Sequence, residues 1–326
     1  MRSSRSSSID YLRVMRPDHW LKNIFILFGH AVAMELVGIP FSADLVFRVV
    51  YSLVPACLIA SANYILNEIL DAPFDRLHPT KKDRPIPSGK VSVRILWILM
   101  GALIVVAFAM SAASFNIRYQ ISLLLLLLSG LVYNVPPLRL KDRAYQDVIA
   151  ESFNNPIRLW LGWYAIAPET TFPPMSIVMA WWFFGALLMA GKRYAEFRFI
   201  NDPKRSGQYR KSFQTYTERS LIISMITYAN FFCFCMGIAI AVYRPNLLFV
   251  FPVVVIAIIV YFNHAMTTEG ARLEPEQLMR NPVLILCTAA TIAVSLLLVW
   301  TKTDLTEWFN LLKPIGFELQ DPPRHR

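Results

Sequence analysis

The sequence lacks most motifs that mark a soluble enzyme. It has four cysteines in 326 residues, Cys57, Cys233, Cys235 and Cys287. Each lies in an apolar run with no metal-ligand partner nearby, and no CxxC pair occurs, so they read as small hydrophobes in packed helices. A Walker A loop and an HExxH helix are both absent, which leaves nucleotide hydrolysis and zinc chemistry without support. His30 and His264 stand alone and read as hydrogen-bonded packing residues. The opening stretch MRSSRSSSIDYLRVMRPDHW is basic and serine-rich but has no apolar core before a small-residue cleavage site. It is not expected to be a secretory leader, and the first spanning segment is expected to act as its own signal. Internal repeats, low-complexity linkers and a second soluble domain are likewise missing.

What the chain has in excess is apolar sequence. It is 56% hydrophobic with a mean hydropathy of +0.44, against about 45–50% apolar in ordinary soluble domains. The excess is gathered into runs of about 20 residues, long enough to cross a bilayer as a helix. Strands are excluded, because an open sheet edge in lipid leaves backbone groups unpaired. Nine spans are expected, near 23–40, 45–68, 92–114, 119–134, 145–166, 175–198, 221–242, 246–265 and 282–300. The first and fourth are short, which suggests tilt or partial burial. The expected fold is an all-α polytopic membrane protein around a central polar cavity open to the cytoplasm. Residues 1–22 form a basic cytoplasmic N-terminus, 23–300 the catalytic membrane domain, and 301–326 an amphipathic, then Pro- and Arg-rich tail on the surface.

Charge sets the orientation. The stretches 1–22, 71–94, 135–143, 191–219 and 267–281 carry 24 of the 32 basic residues. All fall on one side if the N-terminus is cytoplasmic, so the N-terminus is expected inside and the C-terminus outside the inner or plasma membrane. The net charge of +10 is then explained by topology and an anionic substrate, not by nucleic acid.

The second span ends in SANYILNEILDAPFDRLHPTKKDRPIPSGK. Asn63, Asn67 and Asp71 recur every four residues and share a helix face, with Asp75 next in step although Pro73 is expected to bend the backbone. Hard oxygen donors on one face suit Mg²⁺, or Mn²⁺ in its place, which keeps waters and binds substrate phosphates besides one or two carboxylates. Asn67, Asp71 and Asp75 are therefore the candidate metal ligands and catalytic residues. The cations Arg76, Lys81, Lys82, Arg84 and Lys90 follow, placing phosphate-binding charge beside metal-binding charge. For the lysines, a positive-inside loop is an equally good explanation.

The fifth span offers a second constellation. Asp147, Glu151, Asn154 or Asn155, and Arg158 repeat at helical spacing and form a polar stripe that must face a cavity or another helix. An internal Glu151–Arg158 pairing that only fixes packing is the bland alternative. Just before it, Tyr133, Arg139 and Lys141 flank a Pro-Pro bend at the cytoplasmic edge. The sixth span ends in AGKRYAEFRF, with Lys192, Arg193, Tyr194, Glu196 and Arg198 on a mixed-charge helix end. A solvated salt-bridge face is the alternative there. Three polar helix ends on one side of the membrane suggest a shared mouth.

The run NEILDAPFDRLHPTKKDRPIPSG resembles the first aspartate-rich signature of the UbiA superfamily of intramembrane prenyltransferases. RPDHWLKN at 16–23, KRYAEF at 192–197, YRKSFQTYT at 209–217 and PEQLMRNPVLI at 275–285 resemble its decaprenyl-phosphate phosphoribosyltransferase branch. Glu68 stands where that branch implies Asp. The resemblance implies that a polyprenyl phosphate attacks C1 of 5-phosphoribosyl 1-diphosphate and diphosphate leaves, with Mg²⁺ required. It implies metal binding by Asn67, Asp71 and Asp75, and phosphate contacts from Lys81, Arg84, Lys141 and Lys192. Asp147 and Arg158 would face the ribose or acceptor phosphate, with Lys22, Tyr133, Arg193 and Glu196 completing the substrate-binding set. Partners are the lipid phosphate, the sugar donor and membrane lipids; an oligomer is compatible with this. Two other readings stay open: a prenyl-diphosphate transferase acting on an aromatic acceptor, and a transporter for an anionic lipid.

Overall fold

The computed structural model describes residues 7–76, 81–200, 210–267 and 281–301. Helix α1 (Ser8–Met15) starts at Ser7, whose hydroxyl accepts the Ile9 N–H. A 3-10 segment, Pro17–Phe25, feeds α2 (Ile26–Val37), which stops at Gly38 in the left-handed region, φ +73°. Then come α3 (Ala43–Asp75), α4 (Val93–Ser114), α5 (Ile117–Asn134), α6 (Gln146–Ser152), α7 (Asn154–Ile166) and α8 (Met175–Ile200). Helices α9 (Glu218–Tyr243), α10 (Phe251–Thr267) and α11 (Pro282–Thr301) complete the described chain. The expected surface tail and the Lys81 side chain lie outside the described residues.

Seven helical segments of the described residues are long and apolar enough to cross a membrane. Two expected spans differ. The fifth is two helices, α6 and α7, meeting at Phe153. Pro156 has no N–H to return to the Ser152 carbonyl, which removes one backbone bond next to this junction. The second span is longer than expected. Instead of ending near 68, α3 runs through Pro55 and Pro73 to Asp75. Ionic contacts to its last turns, described below, offset the backbone bond that Pro73 removes. Asn67, Asp71 and Asp75 thus sit on successive turns of one helix.

Close backbone packing positions the site. Helix α2 lies along α7, α3 along α4, and α8 along α9. A side-chain carbon on Gly29 would collide with the Leu159 carbonyl, and one on Gly162 with the Ile26 carbonyl, so glycine lets α2 and α7 touch. His30 bridges the Ile26 carbonyl and the Ser52 hydroxyl, each at 3.0 Å, as a hydrogen-bonded packing residue. Large apolar side chains such as Phe47, Ile98, Val105 and Phe234 remain exposed on the outer faces. That is the surface expected against lipid rather than water.

Candidate active site

The polar ends of α3, α5, α6, α7 and α8 converge on one cavity of about 440 Å³, which the 3-10 segment also lines. The expected shared mouth is therefore present. Its chemistry divides into two centres in which carboxylates meet cations.

The first centre is at the end of α3. The Lys141 ammonium donates to Asp71 Oδ1 at 2.6 Å, Asn67 Oδ1 at 2.9 Å and Asn134 Oδ1 at 3.0 Å. Arg139 Nη2 donates to the same Asp71 oxygen at 2.9 Å, and its Nε to Asp142 at 3.1 Å. Arg139 is held at φ +32°, a left-handed conformation unusual for a side chain of its size, and this turn aims it at Asp71. Burial pushes the Lys141 amine below the ordinary lysine range, against the opposing pull of the Asp71 carboxylate. One turn on, Asp75 accepts Arg84 Nη1 at 2.6 Å. Glu68 lies beneath and accepts the Ile86 N–H at 3.4 Å. Its longer side chain, compared with Asp, reaches the loop that carries Arg84.

The second centre joins α5, α6, α8 and the segment before α9. Arg193 is 1% exposed, and all three of its guanidinium nitrogens are engaged. Nε donates to Asp147 at 2.9 Å, Nη2 to Glu151 at 2.9 Å and Nη1 to Glu196 at 3.2 Å. Tyr133 donates its hydroxyl to Glu151 at 2.8 Å. Asp147, 0% exposed, also accepts the Tyr216 hydroxyl at 2.8 Å and the Ser212 hydroxyl at 3.2 Å. Arg210 stands 3.9 Å from both Asp147 and Glu196. Burial and the Asp147 charge raise the Tyr216 phenol well above its usual range, keeping it a donor.

The N-terminal segment forms a third wall. Trp20 Nε1 donates to Ser61 at 2.9 Å, and Asn23 donates to Cys57 at 3.2 Å, tying the 3-10 segment along α3. Arg16, at φ +49°, His19 and Lys22 then line the cavity. Arg158 donates to Asn23 Oδ1 at 3.1 Å, not to Glu151, so the pairing that would explain the α7 stripe as mere packing is not formed.

Ten of the expected site residues line the cavity: Lys22, Asn67, Asp71, Arg84, Tyr133, Lys141, Arg158, Lys192, Arg193 and Glu196. Other residues are engaged within the protein. Asp147 is fully buried and is not among the lining residues; its carboxylate accepts from Arg193, Tyr216 and Ser212. Arg193 and Glu196 reach the wall but spend their charge on each other. Arg198 points away, donating to the Met266 carbonyl at 2.6 Å with Glu218 at 3.7 Å. Asn134 and Arg210 carry roles that sequence reasoning did not assign. Asn134 directly follows Tyr133, and Arg210 opens the RKSFQTYT segment, so both stood beside recognised residues.

Among the described residues, no group of three or more His, Cys, Asp or Glu side chains is arranged for a metal ion. The oxygens of Asn67 and Asp71 nevertheless converge on one point, where the Lys141 ammonium sits. An amide and a carboxylate oxygen aimed at one cationic position fit a hard divalent ion that completes its shell with substrate oxygens. Asp75 is turned to Arg84 instead.

A profile of the UbiA prenyltransferase family matches residues 23–286. The decaprenyl-phosphate phosphoribosyltransferase of Mycolicibacterium smegmatis is 30% identical over 234 residues, 70% of this chain and 69% of that one. The protoheme IX farnesyltransferase of Listeria innocua is 25% identical over 247 residues, 72% of this chain and 78% of its own. A UbiA homologue from Archaeoglobus fulgidus, solved with DMAPP and Mg²⁺, shares the fold at a TM-score of 0.66 and 19% identity, covering 87% of this chain and 98% of its own. With the family profile spanning most of the helical domain and the polar helix ends gathered at one cavity, the chain belongs to the UbiA prenyltransferase family, a family of integral-membrane transferases.

Proposed function

We propose that the protein transfers 5-phosphoribose from 5-phosphoribosyl 1-diphosphate to a polyprenyl phosphate at the cytoplasmic face of the membrane. The observation that carries this reading is the surplus of cations around the cavity. Arg16, Lys22, Arg84, Lys141, Arg158, Lys192 and Arg210 all line it, whereas Glu151 and Glu196 are neutralised by Arg193. A donor with phosphate groups at both ends of its ribose needs cations on more than one wall. The Mycolicibacterium relative's activity supports the same choice of substrates.

In the reaction, an anionic oxygen of the lipid phosphate forms a bond to C1 of the ribose. The C1–O bond to diphosphate breaks, and the electron pair leaves with the diphosphate. No general base is required, since the attacking oxygen carries no proton to remove. Asn67 and Asp71 would hold Mg²⁺ against the diphosphate, with Asp75 joining them as Arg84 turns to the donor. The ion would neutralise charge gathering on the leaving group. Lys141 would give up its place between Asn67 and Asp71 and, with Arg139, donate to phosphate oxygens. Arg158 and Lys22 meet the acceptor phosphate, and Lys192 and Arg210 the sugar 5-phosphate. Catalysis is then positioning and electrostatics within a site already built of fixed charges.

The test is to incubate the purified protein with polyprenyl phosphate and 5-phosphoribosyl 1-diphosphate and follow the lipid by mass. The lipid should gain one phosphoribosyl unit. The solved homologue's bound DMAPP and the farnesyltransferase relative favour the second reading, a prenyl diphosphate donor. Consumption of a prenyl diphosphate with an aromatic acceptor, and none of the sugar donor, would replace the first reading with it. The orientation is tested separately. A cysteine at the exposed position of Lys82 should react only with reagent on the cytoplasmic side, and reaction from outside would invert the topology.

A further inference from the structure

Around the cavity, Arg84, Lys141, Arg193 and Arg210 each stand against a carboxylate. Arg158 differs. Its Nε donates to an amide oxygen, Asn23 Oδ1, at 3.1 Å, and among the described residues it forms no ion pair. Glu151, the acid of its own polar stripe, is taken by Arg193. A guanidinium can only donate, so the Asn23 amide must turn its oxygen to Arg158. The amide nitrogen then donates to the Cys57 sulfur at 3.2 Å, and Asn23 is 2% exposed. Its segment is tied down as well. Trp20 donates to the Ser61 hydroxyl, which donates to the Met15 carbonyl, each at 2.9 Å. Gly29 and Gly162 seat α2 on α7 with no side chain between them. The amide is therefore fixed against the guanidinium. Only Nε is spent on it, and Arg158 borders the cavity with its two Nη groups left for a ligand.

We infer that Asn23 sets acceptor specificity: as a neutral partner it aims Arg158 while leaving its charge unspent, and so selects an acceptor that carries an anionic phosphomonoester. An ionised side chain inside a membrane protein is costly without a counter-charge. A carboxylate at position 23 would supply that charge from within. The amide does not, so the charge must arrive with the ligand. An uncharged acceptor would leave the guanidinium unmatched once water is excluded, whereas a phosphate can take both Nη groups side by side. Asn23 acts through Arg158 and is a positioning residue. The inference rests on the assignment of Arg158 to the acceptor phosphate in the reading above, but not on which donor is used.

The experiment measures equilibrium binding of radiolabelled farnesyl phosphate, a short lipid monophosphate, to the full chain in detergent, with ribose 5-phosphate as a second probe. Asn23→Asp keeps the shape of the side chain and lends Arg158 a carboxylate. It should weaken farnesyl phosphate on the order of tenfold or more and leave ribose 5-phosphate within about twofold. Wild-type affinity of Asn23→Asp for farnesyl phosphate would overturn the inference. So would an equal loss of both probes, which would hand Arg158 to the sugar phosphate or reduce Asn23 to packing. Arg158→Gln should lose farnesyl phosphate to a similar degree, and an unchanged affinity there overturns the inference even if Asn23→Asp does not fold. Added to Arg158→Gln, Asn23→Asp should weaken binding by a smaller factor than it does in the wild type; equal factors would mean that Asn23 acts apart from Arg158. A wild type that does not bind farnesyl phosphate would overturn the inference outright. A wild type that transfers no phosphoribose yet shows this pattern would sink the donor assignment and leave the role of Asn23 standing. Transfer without the pattern would do the opposite.

Discussion

The Asp71 and Asp147 centres are made of the same parts, a carboxylate gripped by a lysine or arginine at the polar end of a helix. They differ in how far they are closed. Asp71 is 22% exposed and Lys141 11%, and both border the cavity. Asp147 and Arg193 are 0% and 1% exposed. A half-open ion pair can trade its partner for a substrate or a metal. A sealed one cannot, because separating it strands a charge in the membrane wall. Identical chemistry therefore yields an exchangeable site in one place and a fixed frame in the other.

The largest expected effect follows from breaking the frame. Asp147→Ala leaves Arg193 short of a partner and should lower stability by about 3–5 kcal/mol, the range for a broken buried pair. Thermal unfolding in detergent would show it. If Asp147→Ala unfolds like the wild type, the centre is not sealed and the contrast fails. Asp71→Ala should lower the unfolding temperature less than Asp147→Ala does, since Asp71 and its partners are partly open to the cavity. Its turnover should fall on the order of 10²-fold or more, as should that of wild type treated with chelator. Near-native turnover would remove Asp71 from the chemistry.

A smaller effect is expected at Lys141. Lys141→Met keeps length but removes the charge that meets Asp71 and Asn67. The donor KM should rise by roughly tenfold, in line with the loss of one charge-assisted contact, and an unchanged KM would mean that the amine does not reach the donor. The smallest effect belongs to Arg198, whose partners Glu218 and the Met266 carbonyl lie away from the cavity. Arg198→Ala should leave the donor KM within about twofold, since exposed pairs contribute little. A tenfold change would place it in the site after all.

This pair of centres also marks how far the sequence could be read. Apolar runs revealed the membrane helices because nothing else satisfies their backbone in lipid. The four-residue rhythm of Asn67, Asp71 and Asp75 placed them on one face, and the helix does carry all of them. The same reasoning left the Asp147 stripe facing either a cavity or another helix, and Asp147 meets Arg193 of α8. Asp71 and Asp147 look alike locally, each an acid at a polar helix end. What separates them is supplied from afar. Arg193 comes from 46 residues downstream and Tyr216 from 69, and together they bury Asp147. Spacing along one helix cannot register partners on two others. The sequence reading took 145–166 as one span and missed both the break near Pro156 and the extension of α3 past Pro73. That extension depends on Arg84 and Lys141 folding back onto its last turns.

On the proposed function, the open centre transfers phosphoribose while the sealed centre holds the frame. The most direct test is the release of diphosphate from 5-phosphoribosyl 1-diphosphate by the purified protein, with and without polyprenyl phosphate, in the wild type and in Asp71→Ala. The account predicts release that depends on the lipid phosphate in the wild type and is slower on the order of 10²-fold or more in the variant. Release that ignores the lipid, or that survives in Asp71→Ala, would contradict it.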